Sequence, residues 1–172
     1  AMSDCVSRHG GTLNEFAGDG LMALFGAPST TPVDEQAIQA VRTAFEMQAQ
    51  LPGLNERWLK LGIGQPIAIR IGINTGVLSV GSFGSEGRMS YTAIGLQANI
   101  AARIQGQCKP GHILISDNTW HLLKDRIPCQ TRGSLQLRGV HFPIDVHEPL
   151  YSAEASTVVD LTASRRSRPD KG

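Results

Sequence analysis

The apolar positions of this chain follow two rhythms that alternate along its length. In "GTLNEFAG" and "GLMALFGAP" apolar and polar residues interleave as they do in strands. The Asp19–Gly20 pair between them predicts a hairpin, because glycine accepts the positive φ of a tight primed turn. From Pro32 the rhythm lengthens: Val33, Ala37, Val41 and Phe45 recur every four residues, and Asp34 and Glu35 favour the first turn of a helix. Pro52 and Gly53 are expected to break that helix, with a short second one over Glu56–Leu61. "IAIRIGINTGVLSVGSFGS" returns to alternation, with Ile67, Ile69, Ile71 and Ile73 on one face and a hairpin bend expected at Asn74–Gly76.

Further on, "SYTAIG" predicts a short strand opening into the helix "LQANIAARIQGQ", where Leu96, Ile100 and Ile104 form a stripe. "HILIS" predicts a buried strand, after which Ser116 is placed to cap a helix over "DNTWHLLKD". "LQLRGVHFPIDVHEPL" predicts a closing hairpin. The order indicates an α+β fold, an antiparallel-rich sheet flanked by helices.

Composition narrows the picture. At 172 residues, 41% hydrophobic and 18% charged, the chain has the length of one domain with a real core. Residues 1–150 are expected to form it. Residues 151–172 lose periodicity and end polar and basic, as a disordered tail does. A net charge of +1 with no basic stripe argues against nucleic acid as a partner. No apolar run approaches the ~20 residues of a membrane span and no signal peptide is visible, so a cytoplasmic location is expected, including that of a cytosolic domain in a membrane-anchored protein.

Candidate chemistry is sparse. Cys5, Cys108 and Cys129 are far apart and odd in number, without a CxxC pair, which supports neither a zinc ribbon nor a disulfide framework. The five histidines show no ligand spacing, and Trp58 and Trp120 read as packing residues on helices. "GSFGSEG" lacks the lysine of a phosphate loop and reads as a hairpin connection. Asn99 and Arg103 are different. They stand one turn apart on a mostly apolar helix, where a carboxamide and a guanidinium need partners, and an anionic oxygen suits both.

Four segments, "GGTLNEFAGDGLMALFGAP", "RIGINTGVLSVGSFGS", "YTAIGLQANIAARI" and "LQLRG", in this order and spacing resemble the class III nucleotidyl cyclases, which make cyclic AMP or cyclic GMP. The resemblance covers about Gly10 to Leu150 and implies a ferredoxin-like cyclase fold that is incomplete at its N-terminus, without the strand bearing the family's first metal aspartate. It implies that Asp19 holds catalytic Mg2+ or Mn2+, two ions per site in an intact domain, and that this chain by itself is a poor metal binder or inactive. It implies that Asn99 orients the ribose and that Arg103 stabilises charge on the α-phosphate. Arg138 stands where relatives carry a lysine for the terminal phosphates, and an arginine keeps that charge.

Glu15 falls where adenine-using relatives carry a base-reading lysine. A carboxylate accepts hydrogen bonds, which suits the N1–H and amino group of guanine, so the resemblance points to GTP. Thr92, the second base-reading position, can donate or accept and leaves ATP open. A homodimer with sites between the chains, exchange of elements between copies, and an upstream regulatory domain in a longer signalling polypeptide are also implied. The expected activity is that of a guanylyl cyclase. The alternatives are an adenylyl cyclase and a non-catalytic cyclase-like module that dimerises and binds nucleotide.

Overall fold

The computed structural model describes residues 1–85, 88–123 and 126–151, so the expected tail lies outside the described residues except for Tyr151, whose ring meets Phe45 edge-on at 5.4 Å. In chain order the elements are α1 (Met2–Arg8), β1 (Thr12–Ala17), β2 (Gly20–Leu24), α2 (Val33–Lys60), β3 (Ile71–Ile73) and β4 (Ser79–Ser85). Then come β5 (Arg88–Ile94), α3 (Leu96–Gln107), β6 (Ile113–Ser116), α4 (Asp117–Leu123), β7 (Cys129–Leu135) and β8 (Ile144–Pro149).

A four-stranded sheet in the order β3-β6-β8-β7 forms the centre, and two antiparallel hairpins, β1-β2 and β4-β5, stand beside it. Within this sheet β3 and β6 run parallel, and β8 is antiparallel to both neighbours. Alternation along the sheet sets the layers. Ile113 and Ile115 of β6 join Ala37, Ile38, Val41, Ala44 and Phe45 of α2 and Leu123 of α4 on one face. Leu114 and Val146 pack on the other face with Ile100 and Ile104 of α3 and with Leu137 and Val140. The α+β reading holds, with helices on both faces. Among the described residues no helix is long and apolar enough to cross a membrane.

Several local expectations are corrected. Helix α2 runs unbroken through Pro52. Leu51 and Leu54 stay buried on its inner stripe, and that packing outweighs the hydrogen bond the proline cannot make. Val33, expected on the stripe, is exposed, and Ala37, Ile38, Val41, Ala44 and Phe45 form it instead.

The isoleucine run gives a strand only over Ile71–Ile73, because the backbone before it is occupied by α2 side chains. Asn55 bonds both the N–H and the C=O of Ile67 at 2.9 Å, and Gln48 Nε2 donates to Ile69 O at 3.3 Å. Nor does Asn74–Gly76 close a hairpin. Asn74 Nδ2 donates to Gln97 O and Oε1 at 3.0 and 2.8 Å, drawing the loop to the start of α3. The hairpin here is β4-β5, with Ser85 opposite Arg88; the first five residues of "GSFGSEG", expected as a connection, are paired strand, and its last two lie outside the described residues.

In the closing hairpin the first strand starts at Cys129 rather than Leu135, and "QLRG" belongs to the connection. The capped helix after Ser116 is present: Ser116 Oγ accepts the Thr119 N–H at 3.4 Å. His147 is a satisfied core histidine. It contacts Asp117 Oδ1 at 3.0 Å and Thr131 Oγ1 at 3.2 Å and stacks on Trp120 at 4.6 Å.

Candidate active site

The β1-β2 hairpin places two of the six predicted site residues. Ala17 pairs with Gly20, so Gly18 and Asp19 form its two-residue tip. The residue in the left-handed region is Gly18, at φ +62, and not Gly20 as expected from the Asp-Gly pair. Asp19 is therefore exposed at the outermost point of the hairpin. Glu15 lies on β1 opposite Met22, also exposed, just after a β-bulge that leaves Asn14 as the extra residue between the Leu13–Ala23 and Glu15–Met22 pairs.

That bulge ties the hairpin to β5. Asn14 Nδ2 donates to Thr92 Oγ1 at 3.2 Å, and Asn14 Oδ1 accepts the backbone N–H of Ala93 at 3.1 Å. Thr92 sits half-buried on β5 opposite Gly81. Thr92 is thus joined through one carboxamide to the β1 bulge, at the chain neighbour of Glu15. In strand alternation Asn14 reads as a solvent-facing residue, and nothing local signals the bulge that turns it inward.

Strand β5 leads directly into α3, which carries the next two residues. Asn99 is exposed and Arg103 half-buried. The Nη1 of Arg103 is buried and has no hydrogen-bond partner among the described residues. An unpaired buried guanidinium N–H is costly, which marks it as a group waiting for an acceptor.

Arg138 approaches from the connection between β7 and β8. The Val140 N–H bonds Leu137 O at 3.0 Å, so Leu137–Val140 is a tight turn with Arg138 and Gly139 at its tip. Gly139 has φ +70, as glycine does at the third position of such turns. A Cβ on Gly139 would stand 3.4 and 3.5 Å from Arg103 Nη1 and Nη2. The bare glycine thus lets the turn close against the Arg103 guanidinium while Arg138 stays exposed beside it.

The structure joins Thr92 to Asn14, the chain neighbour of Glu15, and sets the turn bearing Arg138 and Gly139 against the Arg103 guanidinium, with Asn99 one turn before Arg103. Asp19 joins neither arrangement. Among the described residues no group of three or more His, Cys, Asp or Glu side chains could hold a metal ion. Asp19 supplies one hard carboxylate, and the described residues do not assemble a metal site around it. A cleft of about 200 Å³ between the starts of α3 and α4 and the β7-β8 connection, lined by Asn74, Gln97, Asp117 and Asp145, contains none of the six.

Residues 2–149 match the family model described as the adenylate and guanylate cyclase catalytic domain. This chain belongs to that family. The cyclase domain is 38% identical to the adenylyl cyclase CyaB from P. aeruginosa, with a TM-score of 0.86 over 90% of this chain and 79% of that one. It is equally 38% identical to the guanylyl cyclase Cya2, with a TM-score of 0.82 over 89% and 76% of the two chains. Among curated proteins it is 30% identical to adenylate cyclase 1 of Rhizobium meliloti over 85% of this chain. The cyclase domain spans only 22% of that relative's length. Both nucleotide specificities thus occur among its relatives. Class III cyclase domains generally depend on divalent metals.

Proposed function

We propose that this cyclase domain converts GTP to 3′,5′-cyclic GMP and pyrophosphate. The observation that carries the choice of GTP is the exposed Glu15 carboxylate on β1, next in the chain to the Asn14 that bonds Thr92, an acceptor where guanine offers N1–H and an amino group and adenine offers the N1 lone pair. The ribose 3′-hydroxyl attacks the α-phosphorus; a P–O bond forms, the bond to the β-phosphate oxygen breaks, and pyrophosphate leaves. Asn99 orients the ribose. Arg103 offers its unpaired Nη1 hydrogen to the α-phosphate as negative charge builds there, the kind of preorganised donor whose loss costs ~10²–10³ in rate. Arg138 grips the terminal phosphates.

Asp19 would contribute a carboxylate to Mg2+ or Mn2+, two ions in a complete site, whose chemistry is to offset charge on the reacting oxygens. Asp19, Asn99 and Arg138 all lie on open surface, which supports a site completed by a second copy of the chain in a homodimer. An adenylyl specificity is the second reading, favoured by the likeness to CyaB.

The test is cyclic-nucleotide formation from GTP and ATP with manganese, by this chain and an N-terminally extended form, beside the Glu15→Lys variants. Cyclic GMP from the unsubstituted protein, with GTP use lowered at least tenfold by Glu15→Lys, is expected. Cyclic AMP as the main product would assign the adenylyl specificity instead. A folded protein that makes neither would be the non-catalytic module.

A further inference from the structure

Asn14 is held in a way that leaves its orientation no freedom. The bulge removes it from pairing with β2, and its carboxamide spans two successive groups of β5. The Ala93 N–H can only donate, so the amide atom facing it, at 3.1 Å, must be the oxygen. The NH2 then faces Thr92 Oγ1 at 3.2 Å, with Met22 Sδ at 3.7 Å as a weak second acceptor. An amide NH2 can only donate as well. Thr92 Oγ1 therefore accepts from Asn14, and its own hydrogen must point elsewhere.

We propose that Asn14 is a specificity-determining positioning residue, which fixes Thr92 as a hydrogen-bond donor toward the base of a bound purine nucleotide. This rests on the reading of Glu15 and Thr92 as base-contacting groups. Threonine alone is ambiguous, since a hydroxyl can turn to donate or accept. With Asn14 in place the two strands offer one donor, the Thr92 hydroxyl, and one acceptor, the Glu15 carboxylate. Guanine presents the complement, with O6 as acceptor beside N1–H and an amino group as donors. Adenine presents the reverse, so its amino group meets the Thr92 hydrogen and its N1 lone pair meets the carboxylate.

The experiment is calorimetric titration, with manganese, of 3′-deoxy-GTP and 3′-deoxy-ATP. Both lack the attacking hydroxyl and so report recognition without turnover. Asn14→Asp keeps an oxygen for the Ala93 N–H but replaces the NH2 by a second acceptor, which obliges Thr92 to donate to it and to turn lone pairs toward the base. The preference for the guanine analogue over the adenine analogue should fall roughly tenfold in Asn14→Asp and by less in Asn14→Ala, where the hydroxyl turns freely. In a Thr92→Val background residue 14 should no longer alter the preference.

A merely structural role, or the added charge of the aspartate, would weaken both analogues by one factor and leave their ratio unmoved. An unmoved ratio in Asn14→Asp and Asn14→Ala, with wild-type melting temperatures, overturns the proposal. The unsubstituted protein gives a separate answer. If it prefers the adenine analogue, the guanylyl reading fails, while a further move toward adenine in Asn14→Asp would still uphold the role of Asn14. Binding of neither analogue overturns both.

Discussion

Helix α3, which carries Asn99 and Arg103, rests on β3 at a point where only a bare backbone fits. A Cβ added at Gly72 would stand 2.3 Å from Gln105 N, 2.6 Å from Ala101 O and 2.7 Å from Gln105 Cα. Ordinary contact is ~3.5 Å, so Gly72→Ala must push the helix back by about 1 Å. All three atoms are main chain, and no rotamer change relieves the overlap. Overpacking of this kind costs about 1–3 kcal/mol. In a domain of this size the melting temperature should fall by about 3–10 °C. Displacing Asn99 and Arg103 by ~1 Å should also cost on the order of 10²-fold in turnover.

Gly106→Ala on the same helix is the matched control. A Cβ there meets nothing within 4 Å, and the gain in helix propensity should stabilise the fold by about 0.4–1 kcal/mol. Thermal unfolding followed by circular dichroism, with a cyclase assay alongside, reads both variants. A Gly72→Ala protein that melts with the wild type would refute the argument that the helix is seated on that glycine.

Two further outcomes follow from the same geometry. Gly139→Ala places a methyl at 3.4 Å from Arg103 Nη1 in a backbone at φ +70, and should lower kcat roughly tenfold with little change in KM, as steady-state kinetics with GTP would measure. Glu148 is subject to burial, which raises its pKa, but hydrogen bonds from His112 at 2.6 Å and from Arg132 outweigh this and hold it below its ordinary value of 4.5. Its contribution to stability is therefore present above 4.5 and lost as the pH falls through the lower folded value. Glu148→Gln should cost about 1 kcal/mol at pH 7, and the gap to wild type in a pH series of melting curves should close on acidification.

Much of the fold was legible in local pattern. The buried run "HILIS" and the cap at Ser116 depend on neighbours in the chain and stand where expected, and of the stripe Leu96, Ile100 and Ile104 the last two are buried while Leu96 is exposed. The failures share a cause. Pro52 was read as a helix end because its missing N–H is a local fact, whereas the burial of Leu51 and Leu54 that carries α2 onward is a tertiary one. The strand over the isoleucines is shorter than expected because Asn55 and Gln48, from the preceding helix α2 folded back on the run, occupy the backbone that a sheet would have used.

The candidate site divides in the same way. The four ordered segments carry the resemblance to the nucleotidyl cyclases by themselves, and that resemblance is what names Glu15, Asp19, Thr92, Asn99, Arg103 and Arg138 as candidates. Tertiary structure alone decides how they are used. The bulge that aims Asn14 at Thr92, the glycine that admits Arg138's turn to Arg103, and the bare Gly72 under α3 each join residues far apart in sequence. Hydrogen-bond polarity and close approach are properties of such pairs, and periodicity along one segment carries no record of its partner.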